Sequence, residues 1–163
     1  MSPTRNRKLA GRETVRAPYS TPAGEILYTR FSAADPAKNR WASYNVGLRL
    51  NAEDTDAFEE AAWTLFRSRF PEYDGILGLP VRAHEDGRGR YIKARTNPPP
   101  RVIDAYGRAL PPTDQHSHGL LVGWFYAYLN AERAGVSFFI NTLVAFPEPD
   151  AFPHPVSPSF WEA

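Results

Sequence analysis

No cysteine occurs among the 163 residues, which removes disulfides, thiolate zinc sites and cysteine nucleophiles from consideration. That composition fits a reducing compartment, and a cytoplasmic location is expected. No apolar run approaches the roughly 18 residues of a membrane span. The opening MSPTRNRKLAGR has no apolar stretch of the secretory kind, so no membrane partner is expected. A glycine-rich phosphate loop ahead of a helix, a serine nucleophile elbow and internal repeats are likewise missing.

What is plentiful is proline and aromatic side chains: 16 Pro, 4 Trp, 8 Tyr and 10 Phe. With 42% apolar and 23% charged residues the chain is of ordinary globular composition. Its length suits one domain, and proline at this level breaks helices and fits strands joined by irregular loops. A mainly β fold with one helix is expected. The division expected is a flexible basic arm over 1–20, a folded domain over 21–146, and a Pro-rich, weakly acidic tail over 147–163.

Alternation locates the strands. In RWASYNVGLRL, Ala42, Tyr44, Val46, Leu48 and Leu50 make one apolar face and leave Trp41, Ser43, Asn45, Gly47 and Arg49 on the other. In GRYIKART, Ile92 and Ala94 oppose Tyr91, Lys93 and Arg95. GLLVGWFYAYLNA and GVSFFINTLVAF are two long β runs joined at ERAG, which predicts a hairpin. Leu121, Gly123, Phe125, Ala127 and Leu129 form one candidate core face and Trp124, Tyr126 and Tyr128 the other, both apolar enough to be buried. GEILYTRF is where ordered structure is expected to begin, and Arg101 to Asp104 reads as a short edge strand after three prolines. NAEDTDAFEEAAWTLFRSRF is the helix, with acids in its first turns, arginines in its last, and Phe58, Ala61, Ala62, Leu65 and Phe66 on one stripe. That stripe is expected to plug a barrel end.

The net charge of +1 conceals a segmental pattern. Residues 1–50 carry nine basic and three acidic side chains, 51–81 two and seven, 82–108 seven and three, and 109–163 one and five. Three outward faces, from 41–49, 91–95 and 124–128, interleave rings with cations. This mixture suits single-stranded nucleic acid, because bases stack on rings while cations follow the phosphates. Trp41, Tyr91, Trp124 and Tyr126 are the candidate stacking platforms. Arg49, Lys93 and Arg95 are the candidate phosphate contacts, with Arg40 and Arg101 at the rims.

Catalytic readings fare worse. His116 and His118 form an HSH pair, but no further His or carboxylate pair stands at metal-ligand spacing, so no metal and no cofactor is expected. Asp86, Asp104 and Asp114 are the acids a two-metal nuclease would use, yet Tyr91 stands two before Lys93, where the common nuclease strand places an acid. The expectation is a protein that is not an enzyme. A protein-interaction or structural module of a replication or virion complex, with no nucleic-acid binding and using the same rings against another protein, is the alternative.

The order of NRWASYNVGLRLN before an acid-led helix, then GRYIKARTNPPPRVID, then GLLVGWFYAYLNAERAGVSFFINTLVAF resembles phage-encoded OB-fold single-stranded-DNA-binding proteins related to the T7-type binding protein. The resemblance covers residues 21–146. It implies a five-stranded barrel that coats single-stranded DNA during phage replication, recombination or repair, in the host bacterial cytoplasm. It also implies an acidic C-terminal tail, ending in an aromatic, that recruits replication proteins. Here the tail departs from that pattern: Glu148, Asp150 and Glu162 are sparse, although Phe160 and Trp161 lie near the end.

Overall fold

A computed structural model describes residues 16–31, 44–84, 87, 89–96, 99–111 and 116–146. Along the chain these form β1 (Arg16–Ser20), β2 (Gly24–Arg30), β3 (Tyr44–Arg49), α1 (Ala52–Arg69), β4 (Val81–Ala83), β5 (Arg90–Thr96), β6 (Arg101–Ile103), β7 (His118–Leu129) and β8 (Ala134–Phe146). The expected mainly β fold with one helix is what is found. Five strands close a barrel. β2 pairs with β3, β3 with β5 and β8 with β7, all antiparallel. β5 runs parallel to β8, and Gly24 opposite Gly119 returns the circuit from β7 to β2. Full closure leaves no long unpaired edge among these strands. This is the five-stranded barrel of the OB fold.

The interior follows the alternation. Val46, Leu48, Ile92, Ala94, Leu121, Phe125, Ala127, Phe138 and Leu143 are buried within one cluster. The choice between the two apolar faces of β7 is thereby settled in its second half, where Phe125 and Ala127 point inward and Trp124, Tyr126 and Tyr128 stay half-buried outside. Its first half has no open face. Leu120 and Val122 are covered by Ile103, Val144 and Phe146 in a second, smaller cluster.

α1 begins where Asn51 turns its side chain to accept the Asp54 N–H at 2.7 Å, with Glu53 and Asp54 in the first turn and Arg67 and Arg69 in the last. Phe58 sits between Phe125 and Phe138, with ring centroids 5.0 and 5.3 Å away, so the helix stripe enters the barrel interior as expected. Arg90 at the start of β5 binds Asp56 at 2.6 Å and also Glu59, tying the helix to the sheet.

Ordered structure starts earlier than GEILYTRF. β1 lies within the segment expected to be a basic arm, pairing along β7 from Arg16 opposite Tyr126 to Ser20 opposite Val122. Its anchor is Tyr19, packed on Phe58, Phe125 and Phe138. The hairpin at ERAG forms as read: Asn130 accepts the N–H groups of Glu132 and Arg133, both at 2.9 Å. The tail from 147 onward, with Phe160 and Trp161, lies outside the described residues.

Candidate nucleic-acid interface

Strand register decides which side chains share the outside of the barrel. Arg30 stands opposite Asn45, Asn45 opposite Arg95, Arg95 opposite Phe139, and Phe139 opposite Trp124. Five register partners therefore run consecutively around β2, β3, β5, β8 and β7, each on the face opposite the core residues of its strand. A second row sets Tyr28 beside Gly47 and Gly47 beside Lys93. On β7 and β8, Tyr126 stands opposite Ser137. Rings and cations expected from separate stretches thus come to one surface.

Two aromatic groups lie on it. Trp124 and Phe139 stack with centroids 6.2 Å apart and planes 19° from parallel, and Tyr126 meets Phe139 edge-on at 6.3 Å. The Arg16 guanidinium lies 4.7 Å over the Trp124 ring, a cation–π contact. In the other group Tyr91 packs edge-on against Tyr28 at 6.4 Å and lies tilted against His84 at 5.0 Å. Gly47 makes room for this group, since a Cβ there would lie 2.5 Å from the Tyr28 ring. Burial raises the Tyr28 phenol above its usual value and Tyr91 adds to this, with Arg30 and Arg82 opposing, so the hydroxyl stays neutral and available as a donor.

Between the groups lies a cleft of about 90 Å³ lined by Arg82, Lys93, Arg95, Tyr128 and Ser137 together with the 78–80 segment. Arg82 is held there by the Leu79 and Val81 carbonyls, at 3.0 and 3.2 Å. Beside Trp124 a larger pocket of about 310 Å³ is lined by Thr96, Pro99, Arg101, Phe139 and Asn141. Arg101, read from sequence as a rim cation, opens β6 at this pocket.

Of the sequence candidates, Tyr91, Lys93, Arg95, Trp124, Tyr126 and Arg101 all stand on this outer surface. Trp41 and Arg40 lie outside the described residues. Arg49 is on the same face but committed: its guanidinium donates to Glu25 at 2.6 Å across the β2–β3 pair. Sequence reasoning missed Arg16, Tyr28, Arg30, Arg82 and Phe139.

The acids imagined for a metal are otherwise engaged or not described. The Asp104 carboxylate accepts the N–H groups of Tyr106 and Arg108, each at 2.9 Å, and the Arg108 guanidinium at 2.7 Å. Asp86 and Asp114 lie outside the described residues. His118 opens β7 with Nδ1 3.0 Å from the Ser117 hydroxyl. Among the described residues no three His, Asp or Glu side chains gather to hold a metal, and no helix is long and apolar enough to cross a membrane.

Comparison with solved structures bears on the same barrel. Gp2.5, a single-stranded DNA binding protein encoded by bacteriophage T7, superposes with a TM-score of 0.56 at 13% identity, over 85% of this chain and 91% of that one. A C-terminal truncation of the single-stranded DNA-binding protein of bacteriophage Enc34 gives 0.61 at 9% identity, covering 83% and 88%. The Enc34 protein in complex with single-stranded DNA gives 0.59 at 10%, covering 83% and 89%. This chain has their fold. No family model matches the sequence, and no curated relative does. The likeness is carried by arrangement rather than by residue identity, so the interface above stands on this chain's own side chains.

Proposed function

We propose that this chain belongs with the phage single-stranded-DNA-binding proteins it resembles, and that it coats single-stranded DNA without strong sequence preference. The reading is of a non-enzymatic protein acting in phage DNA replication, recombination or repair in the bacterial host cytoplasm, with the strand lying across β3, β5, β8 and β7. The observation that carries it is the register of Arg95 with Phe139 and of Phe139 with Trp124, which makes cations and stacked rings neighbours on one face. Stacking contributes about 1–3 kcal/mol per base and tolerates any base, while Lys93, Arg95 and Arg82 line a cleft of a size for phosphate oxygens. The solved complex of the Enc34 protein with single-stranded DNA, on the same fold, supports this choice of ligand. Recruitment of replication proteins through the tail belongs to the same reading.

The test is binding of a fluorescent oligonucleotide at fixed salt by the wild type and by a Tyr91→Ala, Trp124→Ala double variant. With two rings removed, the variant is expected to lose about thirtyfold or more in affinity. Equal binding by the two would reject the site. Absence of wild-type binding to single strands would favour a protein-interaction module using the same rings.

A further inference from the structure

The pocket beside Trp124 sets the side chains of Arg101 and Asn141 around the Trp124 and Phe139 rings, and a break in strand register shapes it. Between the pairs Val122–Thr142 and Gly123–Ile140 the register slips, leaving Asn141 as an extra residue on β8. Such bulges re-aim a side chain. Here Gly123 is what permits it, because a Cβ at that position would collide with the Phe139 carbonyl oxygen and the Ile140 backbone. The result is an exposed Asn141 in a strand whose neighbours Ile140 and Thr142 are both buried. Arg101, aligned with Thr142 on the adjoining β6, is also exposed. Among the described residues it has no carboxylate partner. Arg101, Asn141, Trp124 and Phe139 line one cavity of about 310 Å³.

We propose that this cavity is a base-reading subsite selective for guanine, resting on the reading of the chain as a single-strand binder. Trp124 and Phe139 supply the stacking wall, which accepts any base. Selection comes from the edges. A guanidinium fork matches the O6 and N7 acceptor pair of guanine, the commonest specific arginine contact to a base. Guanine also carries adjacent N1–H and N2–H donors, which the Asn141 amide oxygen accepts. No other DNA base combines a paired-acceptor edge with a paired-donor edge. One position of an otherwise sequence-tolerant footprint thereby becomes selective.

Oligothymidine of fixed length, compared at one salt concentration with the same strand carrying a single central dG, dA or dC, tests this in the full chain. The dG strand is expected to bind about tenfold tighter than the others, the discrimination of a good bidentate contact. In Asn141→Ala the dG/dT ratio falls. In Arg101→Lys the ratio falls as well, while the salt slope stays as it was because the charge is kept. Equal wild-type affinity for all four strands overturns the subsite and leaves the coating function intact. A dG preference that survives both substitutions overturns the assignment of the readers. Failure to bind any strand overturns both this inference and the function beneath it.

Discussion

At the scale of single residues, the cations divide by what already holds them. Arg49 and Arg95 share the outer face of neighbouring strands, yet Arg49 is bound to Glu25 at 2.6 Å while Arg95, among the described residues, has no acidic partner. A phosphate would have to displace Glu25 from this part-buried pair and leave a carboxylate beside itself, whereas Arg95 can be taken up without that exchange. Each phosphate neutralised on a single strand adds about 0.7 to the slope of log affinity against log salt. Arg95→Gln is therefore expected to reduce that slope by about 0.7, and Arg49→Gln to leave it nearly unchanged; equal reductions would contradict the division. Gly47 offers a second test, of the rings. A methyl there meets the Tyr28 ring at 2.5 Å, and the ring, lying at the surface, can swing away from Tyr91. Gly47→Ala should weaken oligonucleotide binding several-fold with the barrel still folded by circular dichroism, and undiminished affinity would remove Tyr28 from the interface.

At the scale of elements, the bulge on β8 is the feature most exposed to a single atom. In Gly123→Ala the new methyl faces backbone, not a side-chain tip, so β8 must straighten or part from β7. Overpacking of this sort costs about 1–3 kcal/mol, to be read as a lower urea midpoint, and an unshifted midpoint would show that the strands accommodate it. The same feature explains what could be read in advance and what could not. β3 and β5 keep strict alternation, so Val46, Leu48, Ile92 and Ala94 were legible as core and Tyr91, Lys93 and Arg95 as surface, whereas β7 is apolar on both faces and only the fold turned Phe125 and Ala127 inward and Trp124 outward. β2 breaks its alternation at a bulge between Ile26 and Tyr28, which hid Tyr28 and Arg30. β8 is apolar on both faces, so nothing marked Phe139 as the outward ring among Phe138, Phe139 and Ile140. β1 is five residues with a proline, next to arginines, and its place is fixed by Tyr19 reaching the core rather than by any pattern of its own. The closure of the barrel through Gly24 and Gly119 is a long-range pairing that no local period encodes.

At the scale of the molecule, Tyr19 brings three parts together in the core: β1, the helix through Phe58, and the hairpin through Phe125 and Phe138. Burial raises its phenol above the usual value near 10, and the charge of Asp54 raises it further. An acid whose folded value lies above its unfolded one is held neutral by folding. The stability this contributes is complete below about pH 10 and is lost as pH rises through the folded value, because the unfolded chain then ionises more readily. Tyr28, raised first by its own burial, acts in the same direction. Wild-type protein should thus lose stability as pH rises above about 10, read as a falling urea midpoint. Tyr19→Phe keeps the ring contacts and removes the ionisation, so its midpoint should fall less over the same interval, and adding Tyr28→Phe should flatten the curve further. Parallel curves for wild type and Tyr19→Phe would mean that the Tyr19 hydroxyl is as well solvated in the folded chain as in the unfolded one, and that β1 is not anchored through the core in solution.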